Sequence, residues 1–129
     1  MAYTTIVSDH AKPVSNYKMG TRRESGRLLY ISGQVAWDAD GNIVGKDDIR
    51  AQAHQVFQNL RQLLQEAGGG LQDLLKITTY VTDIDNYPAV IEVRNAIFQG
   101  ELPASTLIVV EGLFHEDFLL EIEGVAAIG

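Results

Sequence analysis

Apolar side chains recur at helical spacing over one long segment of the chain. From about Asp48 to Ala67 they fall three or four residues apart, which predicts an amphipathic α-helix with one buried face. The stripe consists of Ile49, Ala53, Val56, Phe57, Leu60, Leu63, Leu64 and Ala67. Asp47 is the predicted N-cap, because its carboxylate can accept free amide protons of the first turn. The run Gly68-Gly69-Gly70 is predicted to end the helix, since glycine adopts the left-handed conformation found just past a helix end.

The remaining pattern predicts one more helix and six strands. A second helix is expected from about Pro88 to Phe98, with Pro88 in the first turn, where its missing N–H removes no bond. Segments rich in β-branched, aromatic and aliphatic residues predict strands over 3–7, 17–23, 27–35, 74–82, 104–111 and 118–127. Glu24-Ser25-Gly26 favours a hairpin between the second and third strands. A loop is expected over 9–13 and a turn over 38–45.

The order of these elements is β-β-β-α-β-α-β-β, which predicts an α/β (α+β) fold. We expect a mixed six-stranded sheet with two helices packed on one face. The other face then needs a cover, because Leu107, Ile108, Val109 and Val110 leave one strand apolar on both sides. This pattern favours oligomerisation. A length of 129 residues suits a single domain over 1–129.

Composition excludes several classes of protein. Ten Lys and Arg against seventeen Asp and Glu give a net charge of −7, so nucleic acid is not an expected partner. The absence of cysteine excludes disulfides and thiolate chemistry. No apolar run approaches the ~18 residues of a membrane span, and the first residues do not resemble a signal peptide. We therefore expect a cytoplasmic protein without a membrane partner. His10, His54 and His115 have no metal-ligand spacing, and no metal or cofactor is expected.

Three motifs, in order along the chain, resemble those of the RidA-like (YjgF-like) family. Ile31-Ser32-Gly33-Gln34 resembles its SGQ element, and Leu102-Pro103-Ala104-Ser105-Thr106 resembles its Pro-Ala-Arg-Ser/Thr segment. Leu120-Glu121-Ile122-Glu123-Gly124-Val125-Ala126 resembles its last strand. The resemblance implies a chorismate-mutase-like fold that assembles as a homotrimer, with small-molecule pockets in the clefts between subunits.

The resemblance also implies an activity. Members of the central family hydrolyse reactive enamines and imines, such as 2-aminoacrylate, to a 2-keto acid and ammonia. An arginine binds the substrate carboxylate bidentately, and a glutamate on the last strand holds the attacking water. Carried over by position, Glu121 is the catalytic glutamate. Tyr17, Gly33, Ser105 and Leu107 are the substrate-binding positions.

This chain departs from the family pattern at two of the pocket positions. Ser105 stands where the family has its arginine, and Ile91 stands where some members have an asparagine. Serine cannot clamp a carboxylate, so activity on 2-aminoacrylate is expected to be weak or absent. Arg22, Arg23, Arg27 and Arg94 are candidate replacements, and surface salt bridging is the alternative role for each.

Each candidate residue also has a purely structural interpretation. Glu121 and Glu123 point to the same face of a strand, where a buried carboxylate suits acid–base work, but both are alternatively solvated or salt-bridged. Ser105 alternatively bonds the local backbone, and Tyr17 alternatively packs at an interface. Trp37 either walls a pocket or packs as an ordinary aromatic residue. Surface positions are expected for the histidines.

Three functions follow from these alternatives. The first is a RidA-like small-molecule hydrolase or deaminase acting on a reactive enamine, imine or related metabolite in inter-subunit clefts. The second is a non-catalytic trimeric protein that binds a metabolite in the same clefts. The third is an endoribonuclease or translation inhibitor, which the charge of −7 disfavours.

Overall fold

The computed structural model describes residues 3–11, 16–99 and 102–129. Two α-helices and six strands form within these ranges, in the predicted order. The helices are α1 (Ile49–Glu66) and α2 (Tyr87–Phe98). The strands are β1 (Thr4–Ile6), β2 (Gly20–Arg22), β3 (Arg27–Gln34), β4 (Leu74–Val81), β5 (Ala104–Val109) and β6 (Leu120–Ile128). Short 3₁₀ turns at Leu71–Asp73 and Ile84–Asn86 precede β4 and α2.

Four of the strands form one mixed sheet in the order β3-β6-β4-β5. β6 is antiparallel to both of its neighbours, and β4 is parallel to β5. α2 joins the parallel pair, because parallel strands require a crossover connection. β1 and β2 pair with each other in a separate two-stranded ribbon. The predicted mixed fold is confirmed, with the correction that its six strands are divided between two sheets.

Both helices pack on one face of the four-stranded sheet, as predicted. Leu120, Ile122, Gly124 and Ala126 alternate along β6 and are buried on this face, while the residues between them point the other way. Leu60 of α1 lies fully inside the same core, so its truncation to alanine is expected to cost about 2–5 kcal/mol. We call the opposite side of the sheet the open face. It includes Leu28, Tyr30, Tyr80, Ile108, Glu121 and Glu123.

The hairpin expected between the second and third strands is wrong. β2 pairs with β1, and β3 pairs with β6. Side-chain hydrogen bonds instead connect β2 and the residue after it to strands of the four-stranded sheet. Thr21 Oγ1 donates to the carbonyl of Leu75 at 2.6 Å, and Arg23 Nη1 donates to the carbonyl of Ala127 at 2.6 Å. The chain still turns before β3, with Gly26 at φ 110°, but it turns away from its own preceding strand.

The predicted N-cap of the first helix is also wrong by one residue. Asp48 is the N-cap, and its Oδ1 accepts a hydrogen bond from the Ala51 amide at 3.1 Å. An N-cap needs extended backbone, which Asp48 has, whereas Asp47 lies in the left-handed region at φ 59°. The predicted stop is confirmed, because Gly68 adopts φ 87° just after the helix.

The other local predictions concern loops and membrane spans. The turn over 38–45 is confirmed, since Asp38 Oδ1 accepts from the amides of Asp40 and Asn42, both at 2.9 Å. Of the loop expected over 9–13, residues 9–11 form a turn and a bend, and residues 12 and 13 lie outside the described residues. No helix in the described part of the chain is long and apolar enough to cross a membrane.

Candidate functional site

Glu121 projects from β6 onto the open face, where its side chain lies over the backbone of Gly33. The pairing of β3 with β6 is irregular between Ile31 and Gln34, so Ser32 and Gly33 together oppose one residue of β6. A β-carbon on Gly33 would lie 2.6 Å from Glu121 Cδ and 2.8 Å from its Cγ, and closer still to Oε2. Glycine at this position therefore leaves the space that the carboxylate occupies.

A second carboxylate, Glu123, lies two residues along β6 and has a partner. The hydroxyl of Tyr80 on β4 donates a short hydrogen bond to Glu123 Oε1. This bond, the surrounding protein, and the negative charges of Glu123 and then Glu121 raise the pKa of Tyr80 above its ordinary value. Tyr80 therefore stays protonated at neutral pH.

Glu121 differs from Glu123 in having no such donor. Although Tyr80 lies directly opposite Glu121 in the β4–β6 register, its hydroxyl reaches Glu123 instead. Within the described ranges the Glu121 carboxylate accepts no hydrogen bond and forms no ion pair. The alternative of a salt bridge to arginine is therefore not found for either glutamate in this part of the chain. Glu121 is half-buried.

Ser105 and Leu107 lie on the other side of the sheet. They alternate along β5 and point toward the helices, where they pair in register with Ile77 and Thr79 of β4. Leu107 packs against the hydrophobic core. The Ser105 hydroxyl is buried and has no hydrogen-bond partner in the described part of the chain, so the alternative that it bonds the local backbone is wrong there.

Tyr17 lies in a short segment that runs along the free edge of β5. Lys18 forms a parallel bridge with Ala104, next to Ser105, and its amide donates to the Pro103 carbonyl at 3.4 Å. Tyr17 itself is half-buried. It therefore lies along the β5 edge, close in the chain to the bridge beside Ser105.

The five predicted site residues thus form two groups in one protomer. Glu121 and Gly33 lie together on the open face. Ser105 and Leu107 lie on the helix side of the edge strand, and Tyr17 lies in the segment that runs along that strand. The sheet therefore separates Ser105 and Leu107 from Glu121 and Gly33 within one protomer.

Arg94 is a buried charged residue, and its burial was not predicted from the sequence. It lies on α2 with only 3% of its surface exposed, so the expected surface salt bridge is wrong for this residue. Its Nη1 donates to the Tyr87 hydroxyl at 3.4 Å, and its Nη2 donates to Asn16 Oδ1 at 3.1 Å. Among the described residues, Nε has no hydrogen-bond partner. The signal was its spacing, since Arg94 lies four residues after Val90 and four before Phe98, both buried.

The other candidate arginines have different environments. Arg22 Nε lies 2.9 Å from Glu24 Oε1 in an exposed pair, so surface salt bridging is confirmed for Arg22. Arg23 Nη1 lies 3.5 Å from Asp73 Oδ1, but both side chains are mostly buried, so this ion pair does not lie on the surface. Arg27 is exposed at the start of β3.

The histidines and Trp37 add no catalytic group. His10, His54 and His115 are exposed, as expected, and the described residues contain no cluster suited to a metal ion. Trp37 lines a surface groove with Gln34, Asn59 and Leu63, and its ring packs near those of Phe114 and Phe118. The residues that line this groove belong to neither site group.

Comparison with known proteins agrees with this architecture. The family model described as Endoribonuclease L-PSP matches residues 8–128. A RutC family protein from Pyrococcus abyssi is 31% identical over 127 residues, which are 98% of this chain and 98% of the relative.

Solved structures are similar over the same length. A protein of unknown function of the Rid family, YyfB from Yersinia pestis, superposes with a TM-score of 0.90 at 34% identity, covering 99% of this chain and 100% of that one. RidA from an Antarctic Psychrobacter bacterium superposes with a TM-score of 0.74 at 31% identity, covering 97% and 99%. The chain therefore belongs to the Rid (YjgF-like) family.

Proposed function

We propose that this chain hydrolyses a small reactive enamine, imine or related metabolite, with Glu121 holding the attacking water in a cleft between subunits of a homotrimer. One observation carries the proposal. The Glu121 carboxylate is half-buried over Gly33 and has no donor within the described residues. Because Tyr80 engages Glu123, Glu121 is the carboxylate of this pair that is left to accept a hydrogen bond from water.

The chemistry needs one positioned carboxylate. Water attacks the imine carbon while Glu121 accepts its proton, and the C=N electron pair moves to nitrogen, which takes up a proton. The amino group of the resulting carbinolamine takes up a proton and leaves as ammonia, and the hydroxyl proton passes to solvent as the carbonyl forms. An enamine is first protonated on carbon to give the imine. A positioned acid–base group contributes about 10²–10⁴-fold to such a reaction.

A second copy of the chain would complete the pocket. The open face exposes Leu28 (60%), Tyr30 (74%) and Ile108 (40%), an apolar surface that a neighbouring subunit would bury. In the proposed trimer, the edge of one subunit that carries Tyr17 and Ser105 approaches Glu121 of the next. The proposed number of three subunits comes from the resemblance to the RidA-like family. The separation of the two groups within one protomer supports a pocket formed by more than one copy of the chain.

Because Ser105 carries no charge, it cannot bind a substrate carboxylate as the family's arginine does, which limits the substrates that the proposed pocket can bind. An arginine fork to a carboxylate contributes roughly 2–3 kcal/mol, so its loss weakens binding at this position by about 10²-fold. Weak or absent activity on 2-aminoacrylate remains part of the proposal. The same feature favours the second candidate function, a protein that binds a metabolite in the cleft without converting it.

The description of the matching family model names a ribonuclease, so RNA cleavage is a further outcome to test. A net charge of −7 opposes contact with a phosphate backbone. The three histidines lie on separate elements, near the N-terminus, on α1 and before β6. Neither feature supports RNA chemistry.

The test uses a panel of small cyclic and linear imines and enamines, together with 2-imino acids generated in situ by an amino-acid oxidase in the presence of catalase, and follows release of the carbonyl product. The wild-type chain is expected to accelerate this release for at least one imine or enamine of the panel. Ligand binding without acceleration would favour the binding-protein function. Cleavage of RNA by the same preparation, without acceleration of any imine, would replace the proposal.

A further inference from the structure

The environment of Arg94 is unusual for a buried charge. A guanidinium keeps its positive charge at every physiological pH, and burying a charge is costly unless it is paired. The chain has seventeen acidic residues, yet within the described part of it none pairs with Arg94. Two neutral oxygens, of Tyr87 and Asn16, are the acceptors that it has there.

A second unpaired group lies near the same segment of chain. Arg94 Nε and Ser105 Oγ are the two buried side-chain nitrogen or oxygen atoms without a partner among the described residues. Asn16 accepts from Arg94, and two residues later Lys18 bridges to Ala104, the neighbour of Ser105. Two residues span at most about 7 Å of chain. One segment therefore connects the two sites.

From these observations we infer that Arg94 binds the carboxylate group of a small-molecule ligand at the β5 edge, beside Ser105. Nε and Nη2 form one edge of the guanidinium, and such an edge holds a carboxylate with two parallel hydrogen bonds. Nε is unpaired, and Nη2 has two N–H groups, of which Asn16 needs one. Nη2 therefore keeps a second N–H to donate beside the unpaired Nε while the bond to Asn16 is kept. The Ser105 hydroxyl supplies a neutral donor nearby.

The inference deepens the proposed function, and it rests on that function for the identity of the ligand as substrate. The cation is carried by α2, whereas the family resemblance implies an arginine at position 105 on β5. Because the anchoring cation is on a different element, we expect a substrate whose carboxylate is not bonded directly to the reacting carbon, as it is in 2-aminoacrylate. A single buried cation in a chain of charge −7 suits a singly charged carboxylate better than a phosphate.

The test measures binding, so it does not depend on turnover. The probe is 4-oxopentanoate, which has a carbonyl group and a distant carboxylate, and its uncharged methyl ester is the comparison. Wild-type protein is expected to bind the acid at least about tenfold more tightly than the ester by calorimetry. Arg94→Met is expected to remove this preference, and Arg94→Lys to weaken it by about tenfold, because lysine keeps the charge but not the fork.

Arg22→Met is the matched control, because it also removes one positive charge but from an exposed arginine paired with Glu24. It should bind the acid as wild type does. Equal affinity of wild type for acid and ester, or unchanged binding in Arg94→Met, overturns the inference. So does a crystal structure in which a carboxylate of another subunit occupies the Nε edge, or displacement of the acid by equimolar phosphate.

The outcomes separate this inference from the proposed function. Turnover of a carboxylate-bearing imine with an unchanged KM in Arg94→Met leaves the hydrolase standing and overturns the carboxylate site. Arg94-dependent binding of the acid without turnover of any imine supports the carboxylate site and overturns the hydrolase. If Arg94→Met fails to fold, Arg94→Lys decides, because it retains the charge and the length of the side chain.

Discussion

The carboxylate of Glu121 occupies the space where any residue other than glycine at position 33 would place its β-carbon. The two residues lie on neighbouring strands, β6 and β3, at an irregularity in their pairing. An added β-carbon would meet Cγ, Cδ and Oε2 of the glutamate, which are the outer atoms of a flexible side chain. The glutamate can therefore move aside, but it then leaves its position on the open face.

Gly33→Ala should separate activity from stability. We expect the glutamate to be displaced and turnover to fall at least about tenfold, while the melting temperature changes little because the obstructing side chain can rotate. Gly112→Ala is the matched control, since a β-carbon there meets nothing within 4 Å. Full activity in Gly33→Ala would mean that the observed position of Glu121 has no catalytic importance.

Tyr80 should ionise at a higher pH than an ordinary tyrosine. Its pKa is raised, chiefly by the hydrogen bond to Glu123, so the neutral form is favoured in the folded state. The stability that this bond contributes is present below the ordinary tyrosine pKa of about 10 and is lost as pH rises through the folded-state pKa. An ultraviolet titration should show a tyrosine step above that ordinary value, and Tyr80→Phe should remove the step. A late step that persists in Tyr80→Phe contradicts the assignment.

The Ser105 hydroxyl should contribute nothing to stability in the absence of a ligand. It is buried without a partner, so Ser105→Ala is expected to leave the free energy of unfolding unchanged or to raise it by up to about 1 kcal/mol. Thr21→Val is the comparison, because it breaks the bond to the Leu75 carbonyl and should cost about 1 kcal/mol. A larger loss in Ser105→Ala than in Thr21→Val, measured by urea denaturation, would show that the hydroxyl has a partner.

The arginine of the family pattern should not be tolerated at this position. Ser105 points into the helix side of the sheet beside Leu107, which packs on the core. Ser105→Arg is therefore expected to destabilise the protein by about 1–3 kcal/mol through overpacking.

The assembly can be measured directly. The exposed apolar residues of the open face and the separation of the two site groups both call for more than one copy. Light scattering at micromolar concentration is expected to give three times the 14.2 kDa of the chain. Tyr30→Glu should reduce that mass, because it places a charge on the open face. A wild-type mass of one chain would contradict the shared pocket.

Much of the fold could be predicted from the sequence, because it depends on local periodicity. The apolar stripe of α1 and the alternation of β6 each indicate one buried face, and both are confirmed. Strand partners were harder to predict. The turn before β3 indicates that the chain reverses there, but it does not indicate which strand pairs with β3. That strand is β6, at the other end of the sequence. Asp47 and Asp48 are adjacent acids, and backbone conformation alone distinguishes the cap.

The candidate site was less predictable, because it too depends on which strands pair and in what register. Alternation along a strand shows that Glu121 and Glu123 share a face, but it cannot relate that face to the one of Ser105 on another strand. That relation depends on the register of β6 with β4 and of β4 with β5. Arg94 lay on the buried stripe of α2, where a charged residue is rare, and composition alone gave no reason to expect it there.

The central claim is that Glu121 holds the water that attacks the imine. In the imine assay, Glu121→Gln is expected to lower kcat by about 10²–10⁴-fold with little change in KM, because the shape is kept and the proton acceptor is lost. Glu123→Gln is the matched control from the same strand and face, and it should stay within about threefold of wild type, since Tyr80 already engages that carboxylate. A wild-type kcat in Glu121→Gln, or an equal loss in Glu123→Gln, would contradict the account.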